Sequence, residues 1–387
     1  MGALRLFLAV SVLVTHLRYG RGILGLSFLD GGLAVECFFI ISGFYMALVL
    51  NEKYNYRGSY RAFIQQRFLR LYPLYFIVGI LILAVEGLIT YFTAHPVGVY
   101  EVWVREPRCV TFLPGCYYAL VNLVILGLDS LWFLHQDSVT GQLYLTPYLV
   151  PHASHCFDYV LNAPTGTLAV EMTFYLLAPF LVRKPVKVQA AFMLASLALR
   201  SAFFLTMAPT SSSTWTYYFS PSQLFFFMAG SLGYHYYRQY RAAFENFASA
   251  HSWMFWVFGI LMLVERRLPF KDDFFYLFVP AAIVMVPLLF AHTRNNKRDR
   301  LIGELSYPYY LIHLHVIVIM EYFLHEKFDA VFGPLCALLS FGLAYLLYRL
   351  IEIRTEHYRE RLFQKIYSSR NRLAAALAPS ASTDSPA

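Results

Sequence analysis

Charge is what this chain has least of. Only 14% of its 387 residues are Asp, Glu, Lys or Arg, against about 25% in soluble domains, which excludes an ordinary soluble fold. The alternating ten-residue pattern of a membrane β-barrel is also missing, because the apolar runs are continuous and near helix length. No small-residue cleavage site follows the first apolar run. Residues 3–17 lead into Arg18-Tyr19-Gly20-Arg21, so a retained span is expected rather than a secretory signal. Nor is there an internal repeat, or a pair of broken helices in two halves. There are five cysteines, and three of them (Cys109, Cys116 and Cys156) fall in one segment. They are enough for one disulfide with one thiol left over.

What is present is apolar length. The chain is 58% hydrophobic and 18% aromatic, with a mean hydropathy of +0.51. Runs of spanning length lie near residues 3–19, 31–50, 72–94, 164–182, 187–206, 222–238, 251–265, 274–293, 305–324 and 330–350. The run 116–128 is decided by charge. If it does not cross and the N-terminus is cytoplasmic, the inner loops hold 20 Lys and Arg and the outer loops 8. Crossing there would reverse the bias, against the positive-inside rule. The same asymmetry accounts for a net charge of +8 and a pI near 9.1 without nucleic acid. The expected fold is therefore an all-α polytopic membrane protein of about ten transmembrane helices. Both termini are expected inside, and the long outer loop, 95–163, is expected to hold 116–128 as a re-entrant or surface helix. Residues 1–350 form one transmembrane domain in this reading. Residues 351–387 form a basic cytoplasmic tail, disordered toward its Ala-, Ser- and Pro-rich end.

Against this apolar background the few ionisable residues carry information. Arg5 and His16, eleven apart on the first span, lie on nearly one helical face, roughly 16 Å apart along the axis. Glu36 and the tripeptide Ser42-Gly43-Phe44 follow in the second. Charged and titratable groups inside a membrane face a bundle interior or watery cavity and mark functional paths. A membrane anchor with a basic flank is the plainer alternative for this segment. Arg67 and Arg70, at i and i+3, precede Leu71-Tyr72-Pro73, where proline is expected to open the third span. Their guanidinium groups suit phosphate as a bidentate partner, although each also fits topology signalling. Glu171 and Tyr175 share a face of the fourth span, with Arg200 of the fifth as a structural partner for Glu171. Ser306, Tyr309 and His313 line one stripe of the ninth span. His152, His155 and Cys156 are close in sequence, but packing in an aromatic loop is the preferred reading, and no metal is expected.

The order of these features resembles one family. Arg5-x10-His16, then Val35-Glu36 through Ser42-Gly43-Phe44, Arg67-x2-Arg70-x2-Pro73, Val170-Glu171 with Phe174-Tyr175, and Ser306-Tyr307-Pro308-x-Tyr310-Leu311-x-His313 together resemble acyltransferase family 3. The likeness covers roughly residues 3–350. It departs in two places: Glu36 stands where the family has aspartate, and Gly166 where it has a tryptophan before the glutamate. The fused esterase-like domain of many relatives is absent from this sequence.

The resemblance implies an integral membrane O-acyltransferase that moves an acyl group, most often acetyl, from acyl-CoA to a hydroxyl of a glycan or glycolipid. Acyl-CoA would be a co-substrate and no cofactor would stay bound. The partners would be that donor, the glycan acceptor and membrane lipids, in a bacterial inner membrane. On this reading His16 is the general base, with Glu36 or Glu171 orienting it. Arg5, Arg67 and Arg70 bind the donor's phosphates. Ser42, Tyr175, Ser306, Tyr310 and His313 are candidates for the oxyanion or the acceptor. A glycan transporter or flippase is the rival class, and a structural subunit of an export complex a third.

Overall fold

The structure, a computed structural model, describes residues 1–17, 22–26, 28–56, 58–105, 112–137, 141–145, 154–269, 273–324 and 329–377. Its helices in chain order are α1 (Gly2–His16), α2 (Gly31–Glu52), α3 (Ser59–Thr93), α4 (Val99–Arg105), α5 (Phe112–Val124), α6 (Thr165–Leu181), α7 (Val186–Thr206) and α8 (Pro209–Tyr217). Then come α9 (Ser220–Gln239), α10 (Arg241–Ala250), α11 (Trp253–Val264), α12 (Phe274–Thr293), α13 (Lys297–Glu304), α14 (Ser306–Leu324), α15 (Asp329–Leu347) and α16 (Ile353–Leu377). A π-helical stretch, Tyr348–Glu352, joins the last two. The described residues are almost all helical, as expected, apart from one small antiparallel sheet. Its strands β1 (Leu134–Gln136), β2 (Leu143–Leu145) and β3 (Ser154–His155) lie in the order β2-β1-β3, with His135 opposite both Tyr144 and His155.

Each of the ten apolar runs falls on a helix among the described residues, but fewer of the helices are spans by their own length and composition. Among the described residues α2, α3, α7, α12 and the continuous run Val331–Lys365 qualify. The bent pair Arg241–Ala250 and Trp253–Arg267, at 73° to each other, would make a sixth. The expected count of ten is therefore not reproduced. α1 has 15 residues and α6 has 17, about 22 and 25 Å at helical rise, short of a hydrocarbon core about 30 Å thick. α9 and α14 carry serine, tyrosine and histidine along their length. α5, with 13 residues, is about 20 Å long.

The core is built on α2. Its most apolar window is 72% buried, against 11% for α7, and it packs on α1, α6, α9 and α12. Asp30 starts it by accepting from the backbone N–H groups of Gly32 (2.8 Å) and Leu33 (3.3 Å), the usual work of an N-cap aspartate. The crossing of α2 and α9 requires glycine on both sides. A Cβ on Gly43 would overlap the carbonyl oxygen of Phe227, and one on Gly230 that of Ile40. Small residues allow this approach of two backbones inside a membrane bundle. Gly43→Ala is therefore expected to cost about 1–3 kcal/mol or more, read as a lower melting temperature in detergent. A variant melting with the wild type would show that the two helices can part at no cost.

α3 overturns one expectation. Proline was expected to open it, yet Pro73 lies inside an unbroken helix that starts at Ser59. Ala62, Phe63, Gln66, Arg67 and Leu71 form a buried face at helical spacing, and that packing outweighs the single hydrogen bond that Pro73 removes. At the C-terminal end, α16 continues as a helix to Leu377 and lies along α3. The Gln66 side-chain amide donates to the carbonyl of Arg359 at 3.0 Å, and the ammonium of Lys53 sits 4.0 Å from the ring centre of Phe363. The stretch expected to be disordered begins after Arg372; α16 runs on to Leu377, and residues 378–387 lie outside the described residues.

Candidate active site

A cavity of about 390 Å³ opens between α1, α2, α3, α6 and the α12–α14 segment. At one end it is charged. Arg5, Arg67, Arg70, Arg294 and Arg300 line it together with the carboxylates of Asp299 and Glu304. The fold brings these groups together from distant stretches. Asp299 on α13 accepts from the backbone N–H groups of Gly2 (2.7 Å) and Ala3 (2.9 Å) and so caps α1. Gly2 and Gly303 lie backbone to backbone, with Nη1 of Arg5 beside Gly303. Arg70 faces Glu304 at 3.6 Å. Arg67 is 9% exposed. Its guanidinium lies over the rings of Phe63 (5.5 Å) and Tyr175 (5.9 Å), and its Nε has no hydrogen-bond partner among the described residues.

Deeper in the cavity, two hydroxyls and a carboxylate converge. Glu171 Oε1 accepts from the Ser42 hydroxyl at 2.7 Å and from the Tyr175 hydroxyl at 2.5 Å, and the two hydroxyls are 3.5 Å apart. Gly43, the next residue, faces away from the cluster toward the backbone of Phe227 on α9. Ser306 also lines the cavity, with its hydroxyl donating to the carbonyl of Gly303 at 2.7 Å. The far wall is Tyr310. Its hydroxyl is 2.6 Å from the Thr167 hydroxyl and 3.1 Å from the carbonyl oxygen of Pro164, and Phe38 meets its ring edge-on at 6.2 Å.

The two candidate imidazoles lie beyond that wall. His313 is fully buried. Its Nδ1–H donates to the carbonyl of Tyr310 at 2.8 Å, which fixes the tautomer and leaves Nε2 as a lone pair without a partner among the described residues. The ring of His16 is 5.4 Å from that of His313, and His313 is 5.8 Å from the ring of Tyr310. His16 itself is exposed. Neither histidine is among the residues lining the cavity, so Tyr310 separates them from the arginine end.

Glu36 goes elsewhere. Its buried carboxylate is 2.5 Å from Nη2 of Arg200, whose other arm donates to the carbonyl of Thr216 at 2.8 Å. The Arg200 guanidinium also lies over Phe226 (5.1 Å) and Phe275 (5.4 Å). Arg200, expected beside Glu171, is thus the partner of Glu36, and Glu171 is the carboxylate that stands in the cavity. Two further groupings escaped the sequence reading. Glu86, in the apolar run 72–94, is fully buried and accepts from Nδ1 of His315 (2.7 Å) and from the backbone N–H of Val99 (2.9 Å). A carboxylate in such a run needs a partner, a signal that could have found the pair. Arg294 and Arg300 were read as loop charge, yet they join the cavity mouth.

In the segment between α3 and α6, His155 stacks on Phe157 at 5.0 Å and meets His135 at 4.9 Å, while Cys156 is buried with the Tyr118 hydroxyl 3.4 Å from its sulfur. Cys116 is exposed. Cys109 and His152 lie outside the described residues.

The geometry is that of a polar cavity with a cationic mouth, a hydroxyl–carboxylate cluster and two imidazoles past its far wall. Comparison with known proteins bears directly on it. No curated protein matches the chain, and no solved structure does. A family model described as an acyltransferase domain, that of acyltransferase family 3, matches residues 1–349. It takes in every helix that lines the cavity and both histidines, and the chain belongs to acyltransferase family 3.

Proposed function

We propose that this protein is an acyl-CoA-dependent O-acyltransferase of a bacterial inner membrane, moving an acyl group, acetyl first among them, to a hydroxyl of a glycan or glycolipid. The observation that carries the reading is the shared cavity. Arg5, Arg67, Arg70, Ser42, Glu171, Tyr175, Ser306 and Tyr310 come from five helices and line one space. Donor phosphates would sit at the arginine mouth, held by charge-assisted bonds, with the pantetheine arm running toward Ser42 and Glu171. His16, next to His313, would take the acceptor's hydroxyl proton. The alkoxide oxygen would attack the thioester carbonyl, and the collapsing oxyanion would expel CoA thiolate, which picks up a proton. A hydroxyl at Ser42, Tyr175 or Tyr310 would turn from its present acceptor to donate to that oxyanion. Glu171, bonded to two of them, would orient the cluster.

The proposed topology has ten crossings over residues 1–350, both termini cytoplasmic and a basic inner tail. α1, α6, α9 and α14 would cross as inner members of the bundle, where neighbouring helices cover their polar residues. This puts the arginine mouth on the cytoplasmic side, where acyl-CoA is made. Cysteines placed singly in 183–187 and 294–300 are expected to label only from the cytoplasmic face. Labelling of both from outside would reverse the arrangement.

The activity is tested directly with purified protein in lipid nanodiscs and acetyl-CoA labelled in the acyl group. Release of CoA thiol, with label moving to glycan in added membranes, is the expected result. A protein that binds no acyl-CoA but moves glycan across the bilayer would be a transporter instead.

A further inference from the structure

Gly166 and Trp132 form a matched pair. Gly166 lies in the first turn of α6, and a Cβ there would fall inside the indole of Trp132, 2.5 Å from Cζ3 and 3.1 Å from Cζ2. Trp132 closes a short 3₁₀ turn, Leu128–Trp132, that packs on α6 from the outer segment. The ring therefore takes up the room in which any other residue at 166 would place its own side chain. It is half-buried and held in a stack, 4.2 Å from Tyr218 and 5.9 Å from Phe157, with planes inclined by 18° and 14°. Three nearly parallel rings fix its height above the helix.

The residue after Gly166 belongs to the cavity. Thr167 holds the hydroxyl of Tyr310 at 2.6 Å, and both rest on the carbonyl oxygen of Pro164, at 2.9 and 3.1 Å. Tyr310 is in turn the ring between the cavity and His313. A contact path thus runs from the outer segment to the wall of the site: indole, Gly166 backbone, Thr167, Tyr310. If the first turn of α6 rises or tilts, the Thr167 hydroxyl moves with it and Tyr310 loses a hydrogen bond. Reaction geometry is sensitive to such shifts, because a misplacement of about 1 Å can cost on the order of a hundredfold in rate.

We propose that Trp132 is a positioning residue for acyl transfer: seated on Gly166, it sets the first turn of α6 and through Thr167 holds Tyr310 in place on the acceptor side. The proposal rests on the acyl-transfer reading. It assigns to the outer segment a part in turnover and leaves donor binding to the arginine end.

The test uses full-length protein in nanodiscs, acetyl-CoA labelled in the acyl group, and, as acceptor, membranes from cells lacking this chain. Trp132→Ala is expected to leave the donor KM within about twofold and to lower the turnover of transfer about tenfold. Trp132→Phe, which keeps an aromatic ring on the helix, is expected to restore most of that turnover. Gly166→Ala should reproduce the Trp132→Ala defect, and combining it with Trp132→Phe should recover part of the loss by making room for the new Cβ. The recovery stands as a test even if Trp132→Ala folds poorly, and a loss confined to turnover, with donor KM unchanged, is what a merely structural role would not produce. Trp132→Ala with wild-type turnover overturns the proposal, as does a parallel loss of donor affinity and turnover, or a double variant no better than Gly166→Ala. Wild-type protein that neither releases CoA thiol nor transfers label overturns it together with the acyl-transfer reading, which separates that failure from the others.

Discussion

His16→Ala is expected to abolish transfer while the protein still inserts in the membrane and still binds acyl-CoA. Removal of a general base typically costs 10²–10⁴ in rate. An interhelical hydrogen bond in a membrane averages only about 0.6 kcal/mol, a factor of about three. The two roles are therefore separated by magnitude: a severalfold loss marks a packing residue, and a thousandfold loss marks chemistry. His313 is the internal control. Its Nδ1–H is committed to the Tyr310 carbonyl at 2.8 Å and its ring faces that of His16 at 5.4 Å, so it is suited to orient or polarise its neighbour. His313→Ala is accordingly expected to lose less. If His16→Ala keeps near-normal turnover with intact donor binding while His313→Ala is dead, the base is His313, acting through its unpartnered Nε2.

The second large effect is expected at the mouth. Arg67→Ala should raise the donor concentration needed for half-maximal rate ten- to hundredfold and leave acceptor dependence nearly untouched, since a hydrogen bond to a charged group is worth about 1.5–3 kcal/mol. The structure sharpens the choice of residue. Arg70 is already opposite Glu304 at 3.6 Å, whereas Arg67 is more buried, lies over Tyr175 and keeps an unpartnered Nε. Arg67→Lys should recover only part of the loss, because an ammonium is a point charge without the planar fork of a guanidinium. A donor titration unchanged in folded Arg67→Ala protein would return this arginine to the role of a topology signal.

The sequence made some of this legible and hid the rest for physical reasons. Hydropathy located the apolar helices, because apolar length is a local property, and missed α16, a polar helix of 25 residues in the stretch read as a basic tail. It could not say that α3 would run through Pro73, since part of the gain comes from contacts such as that of Gln66 with the remote carbonyl of Arg359. The intramembrane ionisable residues stood out by their cost, which singled out Arg5, Glu171 and His313, while Arg67 stood out by its spacing from Arg70. Which acid meets which base is a matter of tertiary register, and there Arg200 went to Glu36 and not to Glu171. Gly166 was visible as a gap in a familiar pattern. That Trp132, 34 positions away in sequence, fills the space beside it has no local signature, and neither does the pairing of Glu86 with His315.

The arginine mouth also has a bearing on the end of the catalytic cycle. In the proposed reaction the phosphates of the carrier do not change when the acyl group leaves. Arg5, Arg67 and Arg70 would therefore grip spent CoA as firmly as the charged donor, a case of uniform binding that adds nothing to the chemical step. Product departure then competes with chemistry for control of turnover, as it does in many evolved enzymes. The carboxylates of Asp299 and Glu304, set among the guanidinium groups, would weaken that grip and so let the carrier go.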